Sequence, residues 1–175
     1  RRKEMSMRKS LTVMLVFVAT TLSAAHMAIA DHHAKSGSFE IVLSAVTDFA
    51  AVEQLDHVVR AGTLDGTVTI IESTGGPFEA QSSGTMSGLV YLKKSANGID
   101  LESPGVFTDS SGDKWYAVAR RSAGDQAVGG GGGGRQEIAG GTGKYAGITG
   151  SCEYFVDYLP DNKLVTRSTC QWQRN

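Results

Sequence analysis

Cysteine, histidine and proline are scarce in this chain, and the sequence patterns of common enzyme classes are absent. Its 175 residues include 2 cysteines, 4 histidines and 3 prolines. They contain no GxSxG, HExxH or P-loop motif, so serine hydrolases, zinc proteases and nucleotide-binding proteins are not indicated. The formal net charge is −1 and there is no basic stripe, which argues against nucleic-acid binding. No residue pattern calls for a cofactor.

The first thirty residues have the composition of a secretory signal peptide. Arg8 and Lys9 precede an almost wholly apolar run over residues 11–22, and Ala28-Ile29-Ala30 has the small-x-small form of a cleavage site. The apolar run is shorter than the roughly 20 residues that a membrane-spanning helix needs. We therefore expect a secreted or periplasmic protein without a membrane anchor, in which the residues before Met7 are upstream read-through.

Cleavage after Ala30 would leave a mature chain of 145 residues, which suits a single domain. This part carries 12 basic and 17 acidic residues and all 22 glycines. Such a glycine content favours turns and bends over helices. We expect a flexible amino terminus over residues 31–37, followed by one β-rich domain over residues 38–175.

Alternating hydrophobicity and turn signals predict an all-β domain. Strands are expected over residues 38–46, 62–73, 84–93, 99–107, 114–121, 151–159 and 163–172. Asn97-Gly98 is a strong hairpin signal, and the polar segment 109–113 predicts another turn. A count of about eight strands with at most one short helix favours a sandwich or a closed antiparallel barrel.

Two segments have no single interpretation from their pattern. Residues 48–62 form either a helix, with Asp48 as its N-cap and Gly62 as its stop, or a region with a short strand over 56–60. The six consecutive glycines at 129–134 predict a mobile loop between strands, because a glycine run fixes no backbone conformation by itself.

The two cysteines, Cys152 and Cys170, flank a predicted hairpin. Their midpoint falls on Asp161, within the turn signal Pro160-Asp161-Asn162. A hairpin folded about that residue sets the cysteines opposite each other, within reach of a disulfide bond. We predict a structural disulfide, since the pair lacks the CxxC spacing of redox sites and a secreted protein meets an oxidising compartment.

A glycine-punctuated string over residues 140–151, GGTGKYAGITGS, resembles the GTGKYxGxxG segment of the allene oxide cyclase/dirigent-like β-barrels. The resemblance extends from about Ser38 to Trp172. Its other marks are LDGT at 64–67, DSSGDK at 109–114 and a closing strand that ends at Trp172. It implies a closed, calycin-type antiparallel barrel of about eight strands. Relatives of this shape often form dimers or trimers, so a homo-oligomer is also implied.

The same resemblance implies a function. Plant members cyclise an unstable fatty-acid epoxide or steer the coupling of phenoxy radicals, by holding a reactive molecule in one conformation inside the barrel. We therefore expect the lumen to bind a small, largely apolar molecule, and a cofactor-independent isomerase or cyclase is the enzymatic extension. The alternative is a non-catalytic structural or interaction protein, because a barrel of this size can be filled with side chains. No catalytic residue is carried over.

Strand alternation suggests candidate residues for a lumen site. Glu72 follows Val68 and Ile70 on one face of its predicted strand, and a carboxylate facing an apolar lumen would have a perturbed pKa. On residues 114–121, Tyr116, Val118 and Arg120 share one face, while Trp115, Ala117, Ala119 and Arg121 share the other. In the last hairpin, Tyr154 lies on the face of Cys152. The hypothesis is a ligand site formed by Glu72, Tyr116, Arg120 and Tyr154.

The amino terminus of the mature chain would provide a separate site. Cleavage after Ala30 leaves Asp31-His32-His33, with a histidine in the third position. The free amine, two deprotonated amides and the His33 imidazole can form a square-planar site for Cu(II) or Ni(II). Metal handling through this terminus is the third functional class that the sequence allows.

Overall fold

The computed structural model describes residues 34–175, which form eight β-strands and one short 3₁₀ turn. All neighbouring strands are antiparallel. The strands are β1 (Ser36–Glu53), β2 (His57–Ser73), β3 (Ser83–Ser95), β4 (Gly98–Asp109), β5 (Lys114–Arg121), β6 (Gly131–Gly141), β7 (Ile148–Tyr158) and β8 (Lys163–Arg174). The 3₁₀ turn, η1, covers Gly143–Tyr145 between β6 and β7.

The sheet closes on itself, so the prediction of an all-β antiparallel barrel is confirmed. Each strand pairs with the next along the chain, and β8 pairs back with β1 from Ser36↔Gln173 to Val46↔Lys163. Closure removes the free sheet edges that would otherwise pair with other chains. Inward-facing apolar side chains from all eight strands form one continuous core.

The helix considered for residues 48–62 is wrong. This segment is instead a hairpin: β1 continues to Glu53, β2 begins at His57, and Val52 lies opposite Val59. Pairing between the strands supplies the backbone hydrogen bonds that a helix would have made internally. Gly62 faces Phe49 across the hairpin, and a side chain there would collide with the Asp48 backbone. The absence of a side chain at residue 62 therefore permits strand pairing, and Gly62 does not end a helix.

The loop predicted over 129–134 is also wrong for most of its length. Gly131–Gly134 belong to β6 and pair with residues 154–157 of β7, and only Gly129 and Gly130 lie in the preceding turn. The neighbouring strand fixes a backbone that the glycines alone could not. At the amino terminus, Ser36 and Gly37 likewise belong to β1 rather than to a flexible leader. Residues 1–33, with the predicted signal peptide, lie outside the described part of the chain.

The predicted disulfide hairpin is confirmed. Cys152 of β7 lies opposite Cys170 of β8, and their sulfurs are 2.05 Å apart. Asp161 and Asn162 form the turn with φ values of 60° and 56°, the left-handed conformation that a tight hairpin turn requires. Both cysteines are buried in the core. The bond thus joins the last two strands next to the β8–β1 seam that closes the barrel.

Aromatic side chains fill one end of the barrel, which we call the aromatic end. Phe78, from the β2–β3 loop, is fully buried and stacks on Phe39 with ring centroids 3.7 Å apart. Phe107 and Trp115 stack at the same distance, and Tyr145 of η1 lies 5.2 Å from Phe78. Such ring pairs stabilise beyond their buried area. This end of the lumen is therefore packed with side chains.

A polar cluster ties η1 to the β4–β5 turn at the aromatic end. Asp109 Oδ1 accepts hydrogen bonds from Ser111 and from the Asp113 backbone, and Lys144 Nζ lies 3.0 Å from Asp109 Oδ2. Asp113 in turn accepts from the Lys144 backbone N–H at 3.0 Å. Burial opposes ionisation of Asp109, but the Ser111 and Lys144 interactions outweigh it and lower its pKa from 3.8 to about 2.

Loss of the disulfide should destabilise the barrel without changing its topology. We expect the Cys152→Ala/Cys170→Ala double variant to lose about 3 kcal/mol of unfolding free energy, because the bond restricts the unfolded chain. Urea unfolding of both proteins measures the difference. An unchanged unfolding free energy would contradict this role.

The Asp109 cluster should make stability depend on pH in a defined direction. We expect Asp109→Asn to cost about 1–2 kcal/mol at pH 7, because the amide oxygen can still accept the three hydrogen bonds but lacks the negative charge that strengthens them and pairs with Lys144. Because the folded pKa lies below the unfolded one, this contribution is present above about pH 4 and is lost as the pH falls towards 2. Denaturant unfolding across that range should therefore show the two proteins converging. The exposed Asp157→Asn is the control, and a pH-independent difference would refute the prediction.

Candidate functional site

A cavity of about 70 Å³ occupies the half of the lumen beyond the aromatic end. It extends towards the end that carries the β1–β2, β3–β4, β5–β6 and β7–β8 connections, which we call the hairpin end. Most of its wall is apolar, formed by Leu43, Leu64, Met86, Val90, Leu101 and Phe107. At the hairpin end its wall includes Phe49 and Tyr158, which are only partly buried. The cavity therefore approaches solvent at this end.

Polar side chains form part of the cavity wall. Five of them are buried in the barrel interior: Thr47, Ser103, Arg121, Gln136 and Ser168. Tyr154 and Tyr158 of β7 line the same cavity and are partly buried. Burying polar groups is unfavourable unless each finds a partner. Their convergence on one cavity marks it as the candidate functional site.

Arg121, at the end of β5, provides the charge of this site. Its side chain is 4% exposed, and its Nη2 donates a hydrogen bond to Tyr158 Oη at 3.1 Å. The guanidinium carbon lies 5.5 Å from the centre of the Tyr158 ring, within the range of a cation–π interaction. Nε and Nη1 have no hydrogen-bond partner among residues 34–175, and no carboxylate there forms an ion pair with Arg121. A buried charge without a counter-charge is costly.

The inner face of β6 makes room for these side chains. Gly132, Gly134 and Gln136 alternate on that face. A methyl group on Gly132 would lie 3.0 Å from Arg121 Nη1, and one on Gly134 would lie 2.5 Å from the Tyr154 hydroxyl. Both distances are shorter than ordinary contacts. The glycines therefore leave space that Arg121 and Tyr154 occupy.

Tyr154 remains protonated at physiological pH. Burial raises its pKa to about 12, although the positive charge of Arg121 acts in the opposite direction. A neutral phenol keeps its O–H and can donate a hydrogen bond. The site thus combines a fixed positive charge with a neutral donor.

The structure does not bring the four predicted lumen residues together. Only Tyr154 lines the cavity. Tyr116 is 39% exposed, and Arg120 forms ion pairs at 3.0 Å with Glu102 and Glu137, which are also exposed. These residues lie on the outer face of the barrel, so the lumen role predicted for them is wrong.

Glu72 is exposed as well, for a local structural reason. Glu40 pairs with Glu72 and Ile41 pairs with Ile70, so Ile71 has no partner on β1. This bulge shifts the alternation by one residue. Glu72 therefore does not follow Val68 and Ile70 into the lumen.

Arg121 was not among the predicted site residues. Trp115, Ala117, Ala119 and Arg121 share the inner face of β5; alternation in the sequence groups all four on one face but does not show that this face points inward. Arg121 could have been identified from the change in side-chain size along this face, from a tryptophan to two alanines. Small inward residues next to an arginine leave space for its long side chain.

The predicted metal site lies outside the described residues. Asp31, His32 and His33 precede residue 34, so the square-planar copper or nickel site stays a prediction. Within residues 34–175, no three histidine, cysteine, aspartate or glutamate side chains are grouped closely enough to hold a metal ion. In the same part of the chain, no helix has the length and apolar character needed to cross a membrane.

Comparison with known proteins does not assign a family. No protein-family model matches the chain, and no curated protein matches it significantly. The fold and the site therefore define it as a closed, eight-stranded antiparallel barrel with a partly polar cavity.

The space provided by β6 can be tested with neighbouring glycines. We expect Gly134→Ala to lower the unfolding free energy by about 1–3 kcal/mol, because the methyl group would collide with Tyr154 and the Arg120 carbonyl. Gly133→Ala is the matched control, since Gly133 is exposed on the outer face and a methyl group there meets no atom closer than 3.6 Å. Urea unfolding compares the two variants. Equal effects would show that the inner face of β6 is not tightly occupied.

Proposed function

We propose that this protein is a secreted barrel that binds a small, largely apolar molecule in its lumen. The observation that carries the proposal is the apolar cavity with buried polar side chains in its wall. Ligand sites typically combine apolar walls with a few placed polar groups. The disulfide supports secretion, because such bonds persist in oxidising compartments.

The size of the cavity limits what it can hold. About 70 Å³ is less than the few hundred Å³ of a typical ligand site. We therefore propose that the bound molecule fills the cavity with one end only. The rest of it passes between Phe49 and Tyr158 at the hairpin end, where the wall is only partly buried.

An isomerase or cyclase activity is the enzymatic extension of this proposal. It draws support from the resemblance of residues 140–151 to the allene oxide cyclase/dirigent-like barrels. Such a reaction would need no cofactor, because a rigid cavity can favour one conformation of a reactive molecule. The extension names no catalytic residue.

The alternative is a structural or interaction protein whose barrel is filled with side chains. The small cavity volume favours it. The buried Arg121 argues against it, since a barrel that serves only as a scaffold gains nothing from an unpaired internal charge.

Native mass spectrometry of the mature protein, purified without denaturation, tests the proposal. We expect a retained small molecule that dissociates on unfolding. The Ala119→Leu variant should reduce its occupancy by about tenfold or more, because the larger side chain enters the cavity. Ala139→Leu, on the exposed face of β6, should leave it unchanged.

Two other outcomes have definite meanings. A ligand-free mass for the wild type would favour the filled, structural barrel. Equal ligand occupancy in folded Ala119→Leu and Ala139→Leu would show that the ligand binds outside the lumen. Circular dichroism of each variant establishes that it is folded.

A further inference from the structure

Arg121 places a permanent positive charge inside the barrel. A guanidinium carries a positive charge in proteins. Among the described residues, the nearby strand carboxylates Glu102 and Glu137 are on the outer face, where both pair with Arg120. On β5, the outward-facing Arg120 is therefore paired with carboxylates, whereas the inward-facing Arg121 has no counter-charge among the described residues.

The free donors of Arg121 belong to the cavity wall. Its Nε and Nη1 are buried and lack hydrogen-bond partners among residues 34–175, which leaves three N–H groups available. Its Nη2 donates to Tyr158, whose own O–H is then free to donate. Gly132 keeps the space beside Nη1 clear. An acceptor with a negative charge would satisfy these donors and the buried charge together.

The rest of the wall indicates what kind of anion fits. Arg121 is the one cationic side chain in the cavity wall formed by residues 34–175. A single guanidinium balances a monoanion, whereas a phosphate would bring additional charge into an apolar space. Most of the remaining wall is formed by apolar side chains, among them Leu43, Leu64, Met86 and Val90. These features match a carboxylate on a hydrocarbon body.

We propose that the ligand of this barrel is an apolar carboxylic acid, bound as its anion with the carboxylate on Arg121. This inference rests on the proposed function, because it specifies the ligand class of the same cavity. Arg121 is then a specificity-determining residue, and the hydroxyl groups of Tyr154 and Tyr158 are hydrogen-bond donors beside the carboxylate. Arg121 and Tyr158 lie at the hairpin end of the cavity, so the hydrocarbon body extends from there along the apolar wall towards Phe107.

Calorimetric titration with matched acids and amides tests this inference. Octanoate and decanoate are the acid probes, and octanamide and decanamide are their neutral counterparts of equal shape. At pH 7 the wild type should bind each acid about tenfold or more tightly than its amide, because charge-assisted hydrogen bonds are the stronger kind. Arg121→Met should remove that preference while still binding the amides.

Arg120→Met is the matched control. It makes the same chemical change and removes the same charge one residue away, but on the outer face. It should keep the wild-type preference for acids. If both variants lost the preference for acids, the preference would come from the net charge of the protein, and the inference would be overturned.

The possible failures are distinguishable. If the wild type binds acids and amides equally, the anion inference is wrong and the lumen-binding proposal stands. If it binds neither series, the anion inference is overturned, and the absence of a native ligand in the mass spectrum would overturn the lumen-binding proposal as well.

If Arg121→Met does not fold, a measurement on the wild type alone still tests the inference. Carbon-13 NMR of carboxyl-labelled decanoate should show a pKa for the bound acid below its free value of about 4–5. An unshifted or raised pKa would contradict an ion pair with Arg121.

Discussion

Two glycines on the inner face of β6, Gly132 and Gly134, are the constraint on which the placement of Arg121 and Tyr154 in the lumen depends. A closed barrel of eight strands has an interior that ordinary side chains are enough to fill. Here Gly132 and Gly134 leave part of that interior free, and the side chains of Arg121 and Tyr154 extend into it. A glycine strand has little conformational preference of its own. It holds its position because β7 pairs with it along residues 154–157 and the Cys152–Cys170 bond ties β7 to β8.

The two ends of the lumen have different roles. At the aromatic end, Phe78 closes the barrel from the β2–β3 loop, and the Asp109–Lys144 pair fixes η1 across the neighbouring turn. At the hairpin end the wall is partly exposed and carries Tyr158 beside Arg121. A ligand would therefore enter the lumen from the hairpin end, where it meets the buried charge of Arg121.

Much of the fold follows from local sequence, whereas the site depends on pairing between distant strands. Alternation and turn residues predict the strands, and the position of Asp161 predicts the disulfide. The bulge at Ile71, which turns Glu72 outward, arises from the register with β1 and has no local signature. The same holds for the glycine run, whose strand conformation comes from β7. Alternation showed that Arg120 and Arg121 face opposite ways, but the inward face became known only when the barrel closed.

The central claim is that the Arg121 guanidinium lies within the barrel and is shielded from water. Proton–nitrogen NMR of arginine side chains tests this most directly, with the Arg121 Nε–H signal assigned by its loss in Arg121→Met. We predict that this signal exchanges with solvent far more slowly than the Nε–H of the exposed Arg120, and that it shifts when an apolar acid binds. Exchange as fast as that of Arg120, with no shift, would place the guanidinium in water and contradict the account.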